Sequence, residues 1–249
     1  MSESSESSDY TKDQIIAMCK GVKDVELFYQ QKFINYRGPK SKNKERYTEI
    51  IACWVINHFE MFEQIGTICR ESSYYSKIRD GRTNNPDANS EKQIAIRMYK
   101  QEGGIPGLGK IIDYQTPLKN KKSDKVGEID LLAFDEKNGV LRLLELKVPN
   151  SKETMLRCVL EAYTYLRLVD REKLIQDFNC GKQKNIPLDT PIVACPFIYR
   201  RNSKGENGAQ YQEMQEDRPK LRELMKLLEI KPLVIKENKP PYSAYELEL

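Results

Sequence analysis

The sequence predicts a mixed α/β chain (an α+β arrangement with a mixed sheet) in which helices flank the sheet and a helical region precedes it. Three observations carry this expectation. Apolar residues recur at three- and four-residue spacing through the first third of the chain. A cluster of turn formers at 80–90, DGRTNNPDANS, then ends that pattern. Beyond it, short apolar strands and helical stripes follow in the order α, β, β, β, α, β, then α and β, and hairpins with helices before and after them suggest a mixed sheet. The expected divisions are a disordered Ser- and Glu-rich tail over 1–9, a helical region over 10–85 and an α/β core over 86–249.

A length of 249 residues allows one or two domains. With 31% charged and 39% AVILMFWYC residues, the composition is that of a soluble globular chain. The longest apolar run, Ile50 to Ile56, is too short to cross a bilayer, so no membrane partner is expected. The start, MSESSESSDY, has neither a basic n-region nor an apolar h-region, which predicts no secretory signal. Six cysteines include no C-x-x-C pair. Cys53 and Cys158 lie among apolar residues at helical spacing, so they read as buried small hydrophobes, and a reducing cytoplasm is expected. The single histidine, His58, sits in an apolar helical pattern and reads as a core or boundary residue. Chemistry that needs a positioned imidazole is therefore disfavoured, and carboxylates and lysine are the expected reagents.

Element by element, Ile15, Ile16, Cys19, Val22, Val25, Phe28 and Tyr29 predict one or two amphipathic helices over 11–36. Ile50, Ile51, Trp54, Val55, Phe59, Phe62 and Ile65 predict another over 47–68. Ser90-Glu91-Lys92-Gln93 fits a capping box ahead of Ile94, Ala95, Met98 and Tyr99, and Gly103-Gly104 suits the stop. Strands are expected at 110–116, 127–134 and 140–148, the last two joined by Asn138-Gly139, the strongest short hairpin signal in the chain. Pro149-Asn150-Ser151 breaks the third strand and caps a helix carrying Met155 to Val169. A fourth strand spans 190–199. Asp217 caps a further helix with Pro219 in its first turn, and 233–236 is a last short strand. Gly103 to Gly109 has the glycine count of a phosphate loop, but it follows a helix, precedes a strand and lacks Gly-Lys-Ser/Thr, so it reads as a turn.

The hairpin places three charged residues together. A two-residue turn sets Asp130 opposite Lys147; a four-residue loop sets it opposite Glu145. Either way Asp130, Glu145 and Lys147 share one face, because side chains alternate with period two. Directly opposed Cβ atoms lie about 5 Å apart. These charges interrupt Leu143, Leu144, Leu146 and Val148, the most apolar stretch of the core. Ionised groups in a half-buried strand cost free energy unless they are paired or bind a cation. A structural ion pair on a solvated face remains the plain alternative.

The string Gly127-Glu128-Ile129-Asp130, followed after fourteen residues by Glu145-Leu146-Lys147, resembles the signature of the PD-(D/E)xK nuclease superfamily, whose restriction-endonuclease-like core has the order αβββαβ. The resemblance covers about 90–199 and leaves out the N-terminal third. It implies a Mg²⁺-dependent deoxyribonuclease, with Mn²⁺ as a substitute, whose partner is nucleic acid, DNA before RNA. Asp130 and Glu145 would ligate the metal, with the Leu146 carbonyl as a further ligand, and Lys147 would hold or deprotonate the attacking water, or offset the charge developing on phosphorus. Glu91 matches a helix glutamate that some members use for the metal; a favourable charge in a helix's first turn explains it equally well. Glu161-Ala162-Tyr163-Thr164-Tyr165 matches the family's Q-h-x-x-Y only with Glu in place of Gln, and Glu128-Ile129 stands where a Pro-Asp would. Glu128 is an extra ligand or a surface charge.

Net charge is +4 and the pI about 8.6, mildly basic. Basic clusters occur at Arg37 to Arg46, Lys119 to Lys125 and Arg200 to Lys204. The second joins the first strand to the strand of Asp130, so Lys119, Lys121, Lys122 and Lys125 are candidates for phosphate contacts. A catalytically inactive nuclease-like fold that binds nucleic acid or a protein is the alternative function. The N-terminal helices are candidates for dimerisation, substrate recognition or packing over the core, and a homodimer is one expectation.

Overall fold

A computed structural model describes residues 10–38, 45–76, 90–120, 126–182 and 185–249. The tail over 1–9, residues 80–89 of the turn-rich boundary, residues 39–44 of the first basic cluster and residues 121–125 of the second lie outside the described residues.

Helix α1 (Lys12–Lys20) opens on a reciprocal cap: Gln14 N donates to Thr11 Oγ1 (3.3 Å) and Thr11 N to Gln14 Oε1 (2.8 Å). The expected continuation to residue 36 is not helical in the same way. Past Gly21 the chain makes two 3₁₀ turns, Val25–Gln30 and Lys32–Asn35, which bury Phe28, Tyr29, Phe33 and Ile34. Helices α2 (Tyr47–Asn57) and α3 (Phe59–Glu63) replace the single helix expected over 47–68. The break is at His58 (φ −126°), whose half-buried ring stacks on Trp54 at 4.3 Å. Its Nδ1 lies 2.8 Å from the Trp54 carbonyl, so the imidazole is occupied in helix packing.

Helix α4 (Glu91–Tyr99) is capped by Ser90, whose Oγ accepts from Gln93 N at 3.4 Å. The glycine segment after it is a turn closed by Ile105 N donating to Gly109 O. Gly107 is required there: φ is +81°, and a Cβ would lie 2.0 Å from the Ala244 carbonyl.

Six strands form one mixed sheet in sequential order: β1 (Lys110–Pro117), β2 (Glu128–Asp135), β3 (Val140–Leu146), β4 (Ile192–Tyr199), β5 (Leu233–Ile235) and β6 (Ala244–Glu246). The β1–β2, β2–β3 and β5–β6 pairs are antiparallel; β3–β4 and β4–β5 are parallel. The crossover to β4 holds α5 (Met155–Leu168) and α6 (Arg171–Lys182). The crossover to β5 holds α7 (Ala209–Gln215) and α8 (Pro219–Leu227). Of these, α6, α7 and β6 were not expected from the sequence.

Two caps differ from expectation. Helix α5 starts three residues later than Ser151 would place it, at Thr154, whose Oγ1 accepts from Arg157 N (3.2 Å). Helix α8 follows Arg218 with no side-chain cap from Asp217, although Pro219 does occupy its first turn.

The sheet buries both faces. Leu141, Leu143, Ile192, Ala194 and Val234 join a core with α2, α5, α8 and the N-terminal turns; Leu144, Leu146, Phe197, Leu233 and Ile235 join a second core beneath α4. Double burial explains why β3 and β4 read as nearly continuous apolar runs. Residues 10–38 thus share their core with the helix that follows the E-x-K strand. Among the described residues no helix is long and apolar enough to cross a membrane.

Candidate active site

The β2–β3 register decides which charged residues meet. Asp135 pairs with Val140, and the ladder runs to Leu131 opposite Leu144. The connection is therefore a four-residue loop, and one further step sets Asp130 across from Glu145. Asp135 causes this choice: its carboxylate accepts from Asn138 N (3.2 Å) and Asn138 Nδ2 (2.7 Å), closing a side-chain turn, and takes Arg142 Nη1 at 3.0 Å. On the other side of Asp130, β1 is irregular, with a bulge between Ile111 and Asp113 and Gln115 at φ +49°.

Glu145 and Lys147 are 5% and 3% exposed, and Asp130 is half-buried. Lys147 Nζ lies 2.8 Å from Glu145 Oε1, 2.7 Å from Glu153 Oε2 and 3.1 Å from Glu161 Oε2. Asp130 Oδ2 accepts from the Leu146 N–H at 2.9 Å, tying the two strands at the site. Arg157 Nε reaches Glu153 Oε1 at 2.7 Å and Glu161 Oε2 at 3.9 Å. Tyr165 Oη donates to Glu161 Oε1 at 3.2 Å. The hydroxyl has room only because residue 127 is glycine, where a Cβ would stand 2.2 Å from it. The glycine before Glu128-Ile129-Asp130 is thereby explained by packing.

Five carboxyl groups, Glu91, Asp130, Glu145, Glu153 and Glu161, interact here with two cations, Lys147 and Arg157. Fully ionised, the cluster would carry three uncompensated negative charges. The titration directions follow. Burial first, then repulsion from Glu91, hold the Asp130 carboxyl well above the usual range, against the pull of Lys147 and the Leu146 N–H. Burial, then Asp130 and Glu161, do the same to Glu145. Burial first, then Glu153 and Glu161, raise Glu91, with Lys147 and Arg157 opposing. For Lys147 burial works downward, but Glu145, Cys158, Glu161 and Glu153 together prevail and raise it well above the ordinary lysine value. The ammonium stays charged, and the carboxyls share a shortage of positive charge.

Residues 29–37 and α7 hold this arrangement from outside. Arg37 donates to the carbonyls of Lys152 (2.7 Å) and Glu153 (2.8 Å) and pairs through Nε with Glu213 Oε1 (2.7 Å). Glu213 Oε2 takes Met155 N at 2.9 Å, and Gln210 Nε2 donates to the Glu153 carbonyl at 2.7 Å. Asn35 Oδ1 accepts from Thr154 N (3.0 Å), and Arg157 Nη1 donates to the Tyr29 carbonyl (3.1 Å). The strand-to-helix connection that presents Glu153 is thus fixed by residues over a hundred positions away in one direction and nearly sixty in the other.

The structure accordingly brings together Asp130, Glu145, Lys147 and Glu91, and adds Glu153, which the sequence reading missed, and Glu161 with Tyr165. Glu153 carried no signal, since it lies in a loop placed by distant residues. Glu161 and Tyr165 did, being four apart on a helix. Glu128 is half-buried in register with Pro117. Of the proposed phosphate contacts only Lys119 is described; its carbonyl accepts from Arg70 Nη1. Lys121, Lys122 and Lys125 lie outside the described residues.

The donor set fits a hard divalent cation in chemistry: oxygen ligands with negative charge in excess. Mg²⁺ takes one or two carboxylates and keeps several waters. Among the described residues no group of three or more His, Cys, Asp or Glu is arranged to hold a metal ion. Neither a scan against protein-family models nor searches of curated proteins and of solved structures find a match to the chain.

Proposed function

We propose that the chain is a Mg²⁺-dependent nuclease of PD-(D/E)xK type, hydrolysing phosphodiester bonds in DNA, with Mn²⁺ as a working substitute. One observation carries this reading: two carboxylates on adjoining strands, Asp130 and Glu145, meet a buried lysine in a cluster short of positive charge. The order α4-β1-β2-β3-α5-β4 supports it, with α6 as an addition to the αβββαβ pattern. Six free thiols among the described residues are in keeping with a reducing cytoplasm.

Asp130 and Glu145 would hold the cation, with Glu91 and the Leu146 carbonyl as further candidates. When bound, the cation supplies polarisation of the scissile phosphate and a lower pKa for the attacking water. Lys147 keeps its proton at neutral pH, so its work is to hold the water by donation and to offset negative charge growing on the phosphate. Glu161, fixed by Tyr165, and Glu153, fixed through Arg37 and Gln210, limit where that ammonium sits.

The test is cleavage of plasmid and labelled oligonucleotides with Mg²⁺ or Mn²⁺, comparing wild type with Asp130→Ala and Lys147→Ala. Both substitutions should abolish cleavage; activity surviving both overturns the assignment. A second reading, a non-cutting nucleic-acid or protein binder of the same fold, is favoured by Lys147 already bridging three carboxylates. Calorimetry separates the two: the nuclease reading requires Mg²⁺ uptake that Asp130→Ala removes.

A further inference from the structure

The basic cluster at Arg200 to Lys204 is not used by the site, and Arg37 serves it only by holding the β3–α5 connection, yet the fold brings both to one place. Arg37, Asn150, Lys152, Asn202 and Lys204 line a cleft of about 530 Å³. Its two walls are fixed before any ligand arrives. One wall is the β3–α5 connection, held by Arg37 on the carbonyls of Lys152 and Glu153. The other is the loop after β4, in which Asn202 Oδ1 accepts from Lys204 N (2.9 Å) and Glu206 N (3.0 Å). Asn150 Oδ1 ties the walls together through Ser203 N (3.1 Å) and Ser203 Oγ (2.9 Å).

The charge balance is positive. Arg37 is neutralised by Glu213, but Lys152 and Lys204 are exposed and make no ion pair with a described residue. The one carboxylate lining the cleft, Glu206, already accepts from Asn202 Nδ2 at 2.9 Å. The lining contains no aromatic ring on which a base could stack. Lys152 also precedes Glu153, whose carboxylate holds Lys147 at 2.7 Å, so the cleft borders the candidate site.

We propose that this cleft binds the phosphate backbone of a nucleic-acid strand passing the site, through Lys152 and Lys204. The identity of the ligand rests on the nuclease reading. Binding is sequence-blind, because the contacts are charge and amide hydrogen bonds to phosphate and sugar.

The test is fluorescence anisotropy with fluorescein-labelled duplex and single-stranded oligonucleotides in EDTA, from 50 to 200 mM KCl, so that cleavage plays no part. The full chain is compared with Lys152→Ala/Lys204→Ala and with a control pair of exposed lysines elsewhere, Lys20→Ala/Lys226→Ala. The cleft variant should bind about tenfold more weakly at 50 mM. Its slope of log K against log[salt] should be shallower by about 1.8 for duplex or about 1.4 for single strands, two phosphates' worth. Binding equal to wild type, an equal loss in the control pair, or no binding by wild type overturns the proposal. Full displacement by inorganic phosphate at matched phosphate concentration also overturns it, by showing an isolated anion site. Failure of the nuclease reading looks different: wild type never cleaves with metal, while the cleft variant still loses affinity.

Discussion

Replacing Lys147 with methionine withdraws one ammonium from among three carboxylates and keeps the side chain's length. Glu153 is about a third exposed, and water screens its share. Glu145 and Glu161 are nearly fully buried and lose their closest cation, at 2.8 and 3.1 Å. Breaking a buried pair by removing one partner costs about 3–5 kcal/mol. At about 2–4 °C per kcal/mol for a chain of this size, the melting temperature falls by about 6–20 °C. The loss depends on pH in a fixed direction. Burial raises the folded-state pKa of Glu145 above its ordinary 4.5, so its contribution is favourable below that value and declines as pH rises through the folded-state pKa. Without Lys147 the opposing attraction disappears, that pKa climbs further, and the penalty grows toward neutrality. Urea denaturation followed by circular dichroism in EDTA, at pH 5 and pH 7.5, measures both. A loss under about 1 kcal/mol at pH 7.5, or one equal at the two pH values, refutes the reasoning that the lysine balances a surplus of buried carboxylate.

Gly127→Ala drives a Cβ to 2.2 Å from the Tyr165 hydroxyl, so the ring must shift and release Glu161; overpacking of this kind costs about 1–3 kcal/mol. Tyr165→Phe removes the same hydrogen bond without the clash and should cost about 1 kcal/mol, so equal losses in chemical denaturation would contradict the packing account. Glu49→Ala strips the acceptor from Lys220 N (2.8 Å) and Leu221 N (3.1 Å) in the first turn of α8, for a loss of about 1–3 kcal/mol. Because burial raises the Glu49 pKa, its contribution is fullest below about 4.5 and falls as pH rises, so the deficit should be larger at pH 4 than at pH 7.

The sheet's first four strands were legible because two signals agreed on each: apolar content, and Gly, Pro or Asn at the ends. The β2–β3 register was not, because Asn138-Gly139 admits a two-residue turn until Asp135 is seen to close the longer loop with its own carboxylate. Helix α6 carried a readable pattern in Leu174, Ile175 and Phe178 beginning after Asp170, whose Oδ1 accepts from Lys173 N (3.1 Å). Helix α7, AQYQEMQ, had no stripe to read, and β6 is too short for a periodicity to form. At the site, Asp130, Glu145 and Lys147 announced themselves as charges inside an apolar run. Glu153 did not, since Arg37, Gln210 and the lysine itself determine its position. Cys53 is half-buried, not buried as its neighbours suggested; Cys158 is fully enclosed.

Glu213 grips Arg37 with one oxygen and the first amide of α5 with the other. During synthesis, the strands bearing the acidic pair and the lysine leave the ribosome long before that glutamate does. The knot that fastens their flank stays untied until about the last seventh of the polypeptide is all that remains to be made. A cell translating this chain therefore completes the flank of the acidic cluster only near the end of synthesis.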